Sequence, residues 1–130
     1  MNARNVQGVI NTNGTATCMA RVVGWSNEAI TQADIASAAY TVYLVSATDP
    51  NVWTVVDNHD AEVLTVASIV YDTLQTATPW TVDATGYNFR HTVPIASAAF
   101  ATPARSYVVQ YTLTPTTGQP IVVSFALRAI

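Results

Sequence analysis

A chain of 130 residues with a net charge of −3 and half of its residues hydrophobic fits one domain built on a single core. Only 10% of the residues are charged, and the basic ones are all arginines, scattered from Arg4 to Arg128, which leaves no basic cluster of the kind a phosphate backbone requires. No apolar run approaches the roughly 18 residues of a membrane helix, so neither nucleic acid nor membrane is expected as a partner.

Residues 1–14 are rich in Asn and Gly, and Val6, Val9 and Ile10 supply too little apolar surface for a core position. The segment reads as an extended arm outside a domain of residues 15–130, and its three apolar residues are candidates for contact with another protein. No apolar segment follows Arg4, so no signal peptide is expected. From Thr15 to Val23 the chain alternates as a strand with Ala16, Cys18, Ala20 and Val22 on one face, stopped by Gly24. Cys18 is the lone cysteine, which excludes an intrachain disulfide and reads as a buried, inert thiol. Trp25 to Ile30 is a loop. Thr31 and Asp34 have the spacing of a capping box, which predicts one helical turn over Gln32 to Ser37.

Ala39 to Ser46 is the most strand-like run of the first half, with Tyr40, Val42 and Leu44 on one face and Thr41, Tyr43 and Val45 on the other. Tyr43 and Val45, on the second face, are placed for protein contact. Ala47 to Asn51 is a turn by residue type, and Val52 to Asp57 returns as a strand with Trp53 and Val55 on one side. After the turn Asp57 to Asp60 and a short extended piece, Glu62 to Leu64, Thr65 is a candidate N-cap. Val66, Ile69, Val70 and Leu74 follow it at helical spacing, which predicts one covering helix. Trp80 to Asp83 is a brief extended piece, and Ala84 to Gly86 is a turn. Tyr87, Phe89, His91 and Val93 then alternate with Asn88, Arg90 and Thr92 as a strand, and Ile95 to Phe100 reads as a turn of helix.

Ser106 to Thr114 and Ile121 to Arg128, joined by a run rich in Pro, Thr and Gly, form an antiparallel hairpin. Tyr107, Val109, Tyr111 and Leu113 share one face of it with Ile121, Val123, Phe125 and Leu127. A hairpin with so many large side chains needs a second layer. The expected fold is all-β, an antiparallel two-sheet sandwich of immunoglobulin-like architecture with one short covering helix. Its core is expected to contain Tyr40, Val42, Leu44, Phe89, Tyr107, Val109, Tyr111, Leu113, Val123 and Phe125.

Chemistry-bearing patterns are few. Asp57, Asn58, His59 and Asp60 gather potential metal ligands in four residues, but the spacing matches no EF-hand or zinc motif and these residue types serve turns. His91 shares a face with Phe89 and Val93, as a neutral, hydrogen-bonded histidine does. No serine or cysteine has a nucleophile's context, so no catalytic residue, cofactor or metal is expected and the chain reads as a non-enzyme. Trp25 and Trp80, in loop-like segments, are the residues an alternative carbohydrate-binding role would use. Sparse charge leaves a surface of Thr, Ala, Asn, Val and Tyr, which suits burial in an assembly.

The phrase Ile69-Val70-Tyr71-Asp72-Thr73-Leu74-Gln75, then Trp80-Thr81-Val82-Asp83 and Gly86-Tyr87-Asn88-Phe89-Arg90-His91, with Tyr107 and Tyr111 later, resembles small β-sandwich proteins of bacteriophage and prophage virion structural clusters. The resemblance runs from Thr15 to Arg128 in order of elements. It implies a virion component, made in the host bacterial cytoplasm, that serves as head decoration, neck, tail or baseplate. Its partners would be other virion proteins or copies of itself, in an oligomeric assembly. It carries no catalytic residues.

Overall fold

Alternation of apolar and polar residues becomes two facing β-sheets in the computed structural model, which describes residues 6–10, 16–24, 28–76, 86–94 and 99–130. The strands are β1 (Val6–Ile10), β2 (Thr17–Ala20), β3 (Ile35–Val45), β4 (Trp53–Val55), β5 (Glu62–Leu64), β6 (Val70–Gln75), β7 (Tyr87–Thr92), β8 (Ser106–Pro115) and β9 (Ile121–Ala129), with one helical turn, α1 (Val66–Ile69). The larger sheet has the order β1-β9-β8-β3-β4, with β5 also on β3, and the smaller has the order β2-β7-β6. The fold is the expected all-β, two-sheet sandwich.

The core lies between the sheets and is made by the residues whose alternation points inward. Phe89 of the smaller sheet packs edge-on to Tyr111 at 4.8 Å and stacks at 6.3 Å on Phe125, and Tyr111 meets Phe125 edge-on at 5.7 Å. These three rings join the two layers. Of the expected core, Tyr40, Val42, Phe89, Tyr107, Val109, Tyr111, Leu113, Val123 and Phe125 are buried, and Leu44 packs against them half-buried. Phe100 is a core residue that the helix-turn reading of its segment did not anticipate. It is fully buried, edge-on to Tyr107 at 5.3 Å, and the Tyr107 hydroxyl accepts the Thr102 amide at 2.9 Å.

Two expectations are corrected. Val6–Ile10 is not an arm apart from the domain but a strand of the larger sheet, paired in parallel with β9 from Val6 opposite Phe125 to Ile10 opposite Ala129. Backbone hydrogen bonding along an open strand edge needs no large apolar side chain, which is why composition did not reveal it. The covering helix is a single turn: Val70 and Leu74 belong to β6, because pairing with β7 favours extended backbone in a run containing Val70, Tyr71 and Thr73. Thr65 precedes the turn in an extended conformation, but its side chain makes no cap bond. Apart from the parallel β1–β9 pair, the strand pairs of both sheets are antiparallel, as expected.

The elbow between the layers is the 3-10 turn Gln32–Asp34. The Asp34 carboxylate accepts the Thr31 amide at 2.9 Å, as the capping-box spacing implied. Gln32 donates from its amide to Asp72 at 2.7 Å and from its side chain to the Val70 carbonyl at 3.0 Å, which fixes the elbow to β6. Gly86, just before β7, has φ +88°, and a Cβ there would lie 2.7 Å from the Gln75 carbonyl oxygen. Gly86→Ala is therefore expected to cost about 2 kcal/mol or more, from the left-handed backbone and the forced shift of β6. Urea denaturation of the variant measures this, and an unchanged midpoint would show that the β6–β7 connection is not so close.

Candidate functional site

The turn Asp57–Asp60 interrupts a single edge. On β3, Tyr43 pairs with Val55 of β4 and Tyr40 pairs with Glu62 of β5, so both short strands run along the same side of β3 with the turn pushed out between them. Val42 ties both ends down: its carbonyl accepts the Val56 amide at 2.9 Å and its amide donates to the His59 carbonyl at 2.8 Å. Positive φ at Asn58 and Ala61 makes the excursion possible, and Thr41 Oγ1 accepts the Ala61 amide at 2.9 Å. The result sends His59 inward, 1% exposed, while Asp57, Asn58 and Asp60 stay exposed. The four residues that sequence grouped as potential ligands thus do not face a common point.

His59 Nδ1 lies 2.9 Å from the Tyr40 hydroxyl, and its Nε2 is buried without a hydrogen-bond partner among the described residues. The Tyr40 ring also approaches His91 at 5.0 Å, and His91 Nδ1 lies 2.7 Å from the Tyr111 hydroxyl. Tyr111 in turn hydrogen-bonds Cys18, which pairs across β2 and β7 with His91. This is a polar seam inside an aromatic core. Burial pushes the Cys18 thiol up to about 11, with the Tyr111 hydrogen bond opposing it, so the thiol is inert as read from its strand position. Burial also raises Tyr111 far above the usual phenol range.

Burial holds His91 down at about 4, well under the usual imidazole value. The unfolded chain therefore takes up a proton near pH 6.5 that the folded chain refuses until about pH 4, and the contribution of neutral His91 to stability is lost as pH falls between those values. Because the ring is only half-buried, the loss is expected to be about 1–2 kcal/mol. Comparing the pH dependence of unfolding for wild type and His91→Asn isolates it, since the carboxylates are common to both. Parallel curves across that window would contradict the assignment.

Two clefts flank these groups. One of about 480 Å³ lies between the Gly24–Ile30 region and the β8–β9 turn, lined by Glu28, Asp34, Thr116 and Gln119 among others. The other, about 410 Å³, is lined by Thr65, Ser68, Arg90 and His91, but the Nδ1 of His91 already faces Tyr111.

The base of the Val22–Ile30 hairpin is held by Asn88, whose side chain is 1% exposed although it alternates with inward-facing Phe89. Its carbonyl accepts the Val22 amide at 2.8 Å, and its amide donates to the carbonyls of Val22 and Ile30 at 3.0 and 3.2 Å. Asn88 reads as an ordinary polar strand residue in the sequence, and nothing local signals that a distant backbone will cover it.

The largest change from expectation is on the outer face of the larger sheet. Tyr43 and Val45 alternate with buried Val42 and half-buried Leu44 and lie opposite Val55 and Trp53. Trp53 and Val55 are 44% and 39% exposed, and the Trp53 ring sits 5.5 Å from Tyr43. Trp53 Nε1 donates to the Pro50 carbonyl at 2.9 Å, which satisfies the indole locally and leaves its apolar ring at the surface. Tyr43 also lies opposite Val108 of β8, which is buried, so the exposed part of the patch stays on β4. Along β3, β4, β8 and β9 the outward positions carry Val, Thr, Ala, Ser, Gln, Tyr and Trp, and Arg128 is their one charge among the described residues. Tyr43 and Val45 thus lie on the outer face, as their alternation implied, and Trp53 and Val55 are brought to them by the hairpin register. The side chains of Val6, Val9 and Ile10, and all of Trp25 and Trp80, lie outside the described residues.

The chain matches no protein-family model, and no relative emerges from comparison with curated proteins.

Proposed function

We propose that the chain is a non-enzymatic structural protein of a bacteriophage particle that acts through protein–protein contacts made by the outer face of its larger sheet. The observation that carries this reading is an apolar group in which Trp53 and Val55 are exposed and Tyr43 and Val45 lie half-buried beside them, on a face almost devoid of charge. Exposed contiguous apolar surface has a cost in water and is characteristic of surfaces that are covered in use. The total of 10% charged residues works in the same direction, since a free-standing surface is usually far more charged. The particle itself, as head decoration, neck, tail or baseplate, is drawn from the resemblance of the Ile69–Gln75 and Gly86–His91 phrases to virion sandwich proteins. On this reading the chain is made in the bacterial cytoplasm and resides in the virion.

Density-gradient purification of particles from cells that carry the gene tests this. The chain is expected to co-migrate with the particle at fixed stoichiometry. Trp53→Glu, which puts a charge in the middle of the apolar group, is expected to reduce incorporation at least tenfold while the free protein melts as before. A chain that stays wholly in the soluble fraction would overturn the proposal.

A further inference from the structure

Among the described residues the larger sheet is open at both ends of its strand order, and its edges carry charge of opposite sign. At one end β4 and β5 pair only with β3, and Asp49, Asp57, Asp60 and Glu62, half of the chain's eight acidic residues, are exposed along that edge. At the other end β1 is the outermost strand, and Arg128 of β9, opposite Val9 of β1, is exposed. Arg4 lies two residues before β1 in the sequence. Among the described residues, the outward strand positions of β8 and β3 between the two edges carry no charge.

Edge charges usually keep sheets apart. Here they carry one sign at one edge and the opposite sign near the other, so they oppose the meeting of like edges and favour the meeting of unlike ones. Two β4–β5 edges brought together would set four carboxylates against four. A β4–β5 edge laid beside β1 of another copy would instead lie about 10 Å from β9, two strand spacings away, within reach of an arginine side chain crossing the intervening strand. It would also pair backbone groups that each copy leaves open at its own edge.

We infer that the chain binds a second copy of itself head to tail, the acidic β4–β5 edge of one copy against the β1–β9 edge of the next. The inference rests on the proposed reading of this sheet as an assembly surface and names its partner. Because the two contacting surfaces differ, the association is heterologous and builds a ring where the rotation closes or a filament where it does not. The attraction is between exposed charges, so added salt weakens it.

Charge reversal with mixing tests the inference. Sedimentation velocity is measured for wild type, for Asp57→Lys/Asp60→Lys, for Arg128→Glu and for an equal mixture of the two variants. All three positions are exposed, so the variants are expected to melt like wild type. Wild type is expected to self-associate, less so at high salt, and each variant alone to associate at least tenfold more weakly. The mixture is expected to regain assembly, because the lysine edge of one variant then meets the glutamate of the other while the native acidic edge meets the native Arg128. Variants that associate like wild type, or a mixture that stays apart, would overturn the head-to-tail contact. A wild-type chain that remains monomeric yet co-migrates with particles would also overturn it while leaving the proposed function standing; failure of co-migration would remove that function instead.

Discussion

Phe125→Ala is expected to destabilise the domain by about 3–5 kcal/mol, the range for emptying a large aromatic site, and to leave much of the chain unfolded or aggregated near room temperature. Phe125 is 3% exposed and contacts both Phe89 of the facing sheet and Tyr111 of the neighbouring strand. Truncation thus removes apolar burial and also two ring contacts that are worth about 0.5–1.5 kcal/mol each beyond their area. The surrounding side chains cannot collapse into the space easily, because Tyr111 is committed by its hydroxyl to His91. Chemical denaturation followed by circular dichroism measures the loss. A variant with wild-type stability would mean that Phe125 does not lie between the sheets.

Asn88→Leu is expected to cost about 2–4 kcal/mol even though the replacement is similar in volume and more apolar. The Val22 amide and the Ile30 carbonyl would lose their Asn88 partner inside the protein, and each buried polar group left unsatisfied costs about 1–3 kcal/mol. The Val22 carbonyl is spared the full loss because it also accepts the Ile30 amide at 3.1 Å. The damage should be local before it is global: in hydrogen exchange the Val22 amide, now without an acceptor, is expected to exchange much faster while β8 and β9 remain protected at any denaturant level short of unfolding. If Val22 exchanges at the wild-type rate, the Asn88 side chain does not hold the hairpin.

What the sequence made legible follows from range. The hairpin of β8 and β9, the face of β3 that carries Tyr40 and Val42, and the strand from Tyr87 to Thr92 are fixed by two-residue alternation, which any window of chain displays. The capping role of Asp34 was readable because its partner is three residues away. The misreadings all depend on distant partners. Val70 to Gln75 satisfies a helical spacing locally, and only β7 makes it a strand. Val6 to Ile10 becomes a strand through the open edge of β9, which sequence composition does not display. Asn88 is buried by a hairpin more than fifty residues earlier, and His59 by a four-residue turn that interrupts an otherwise continuous edge. Tyr43 and Val45 were readable as outward apolar residues, whereas their joining with Trp53 and Val55 into one surface required the register set by the Ala47–Asn51 turn.

Hydrogen exchange on the free chain and on the chain in purified particles tests most directly whether that surface is the one used. The amides of Trp53 to Val55, on an edge strand whose residues are all exposed, are expected to slow markedly in the particle, while those of Tyr71 to Thr73 in the smaller sheet keep their free-chain rates. Slowing confined to the smaller sheet, or no slowing anywhere in a particle that contains the chain, would contradict the account.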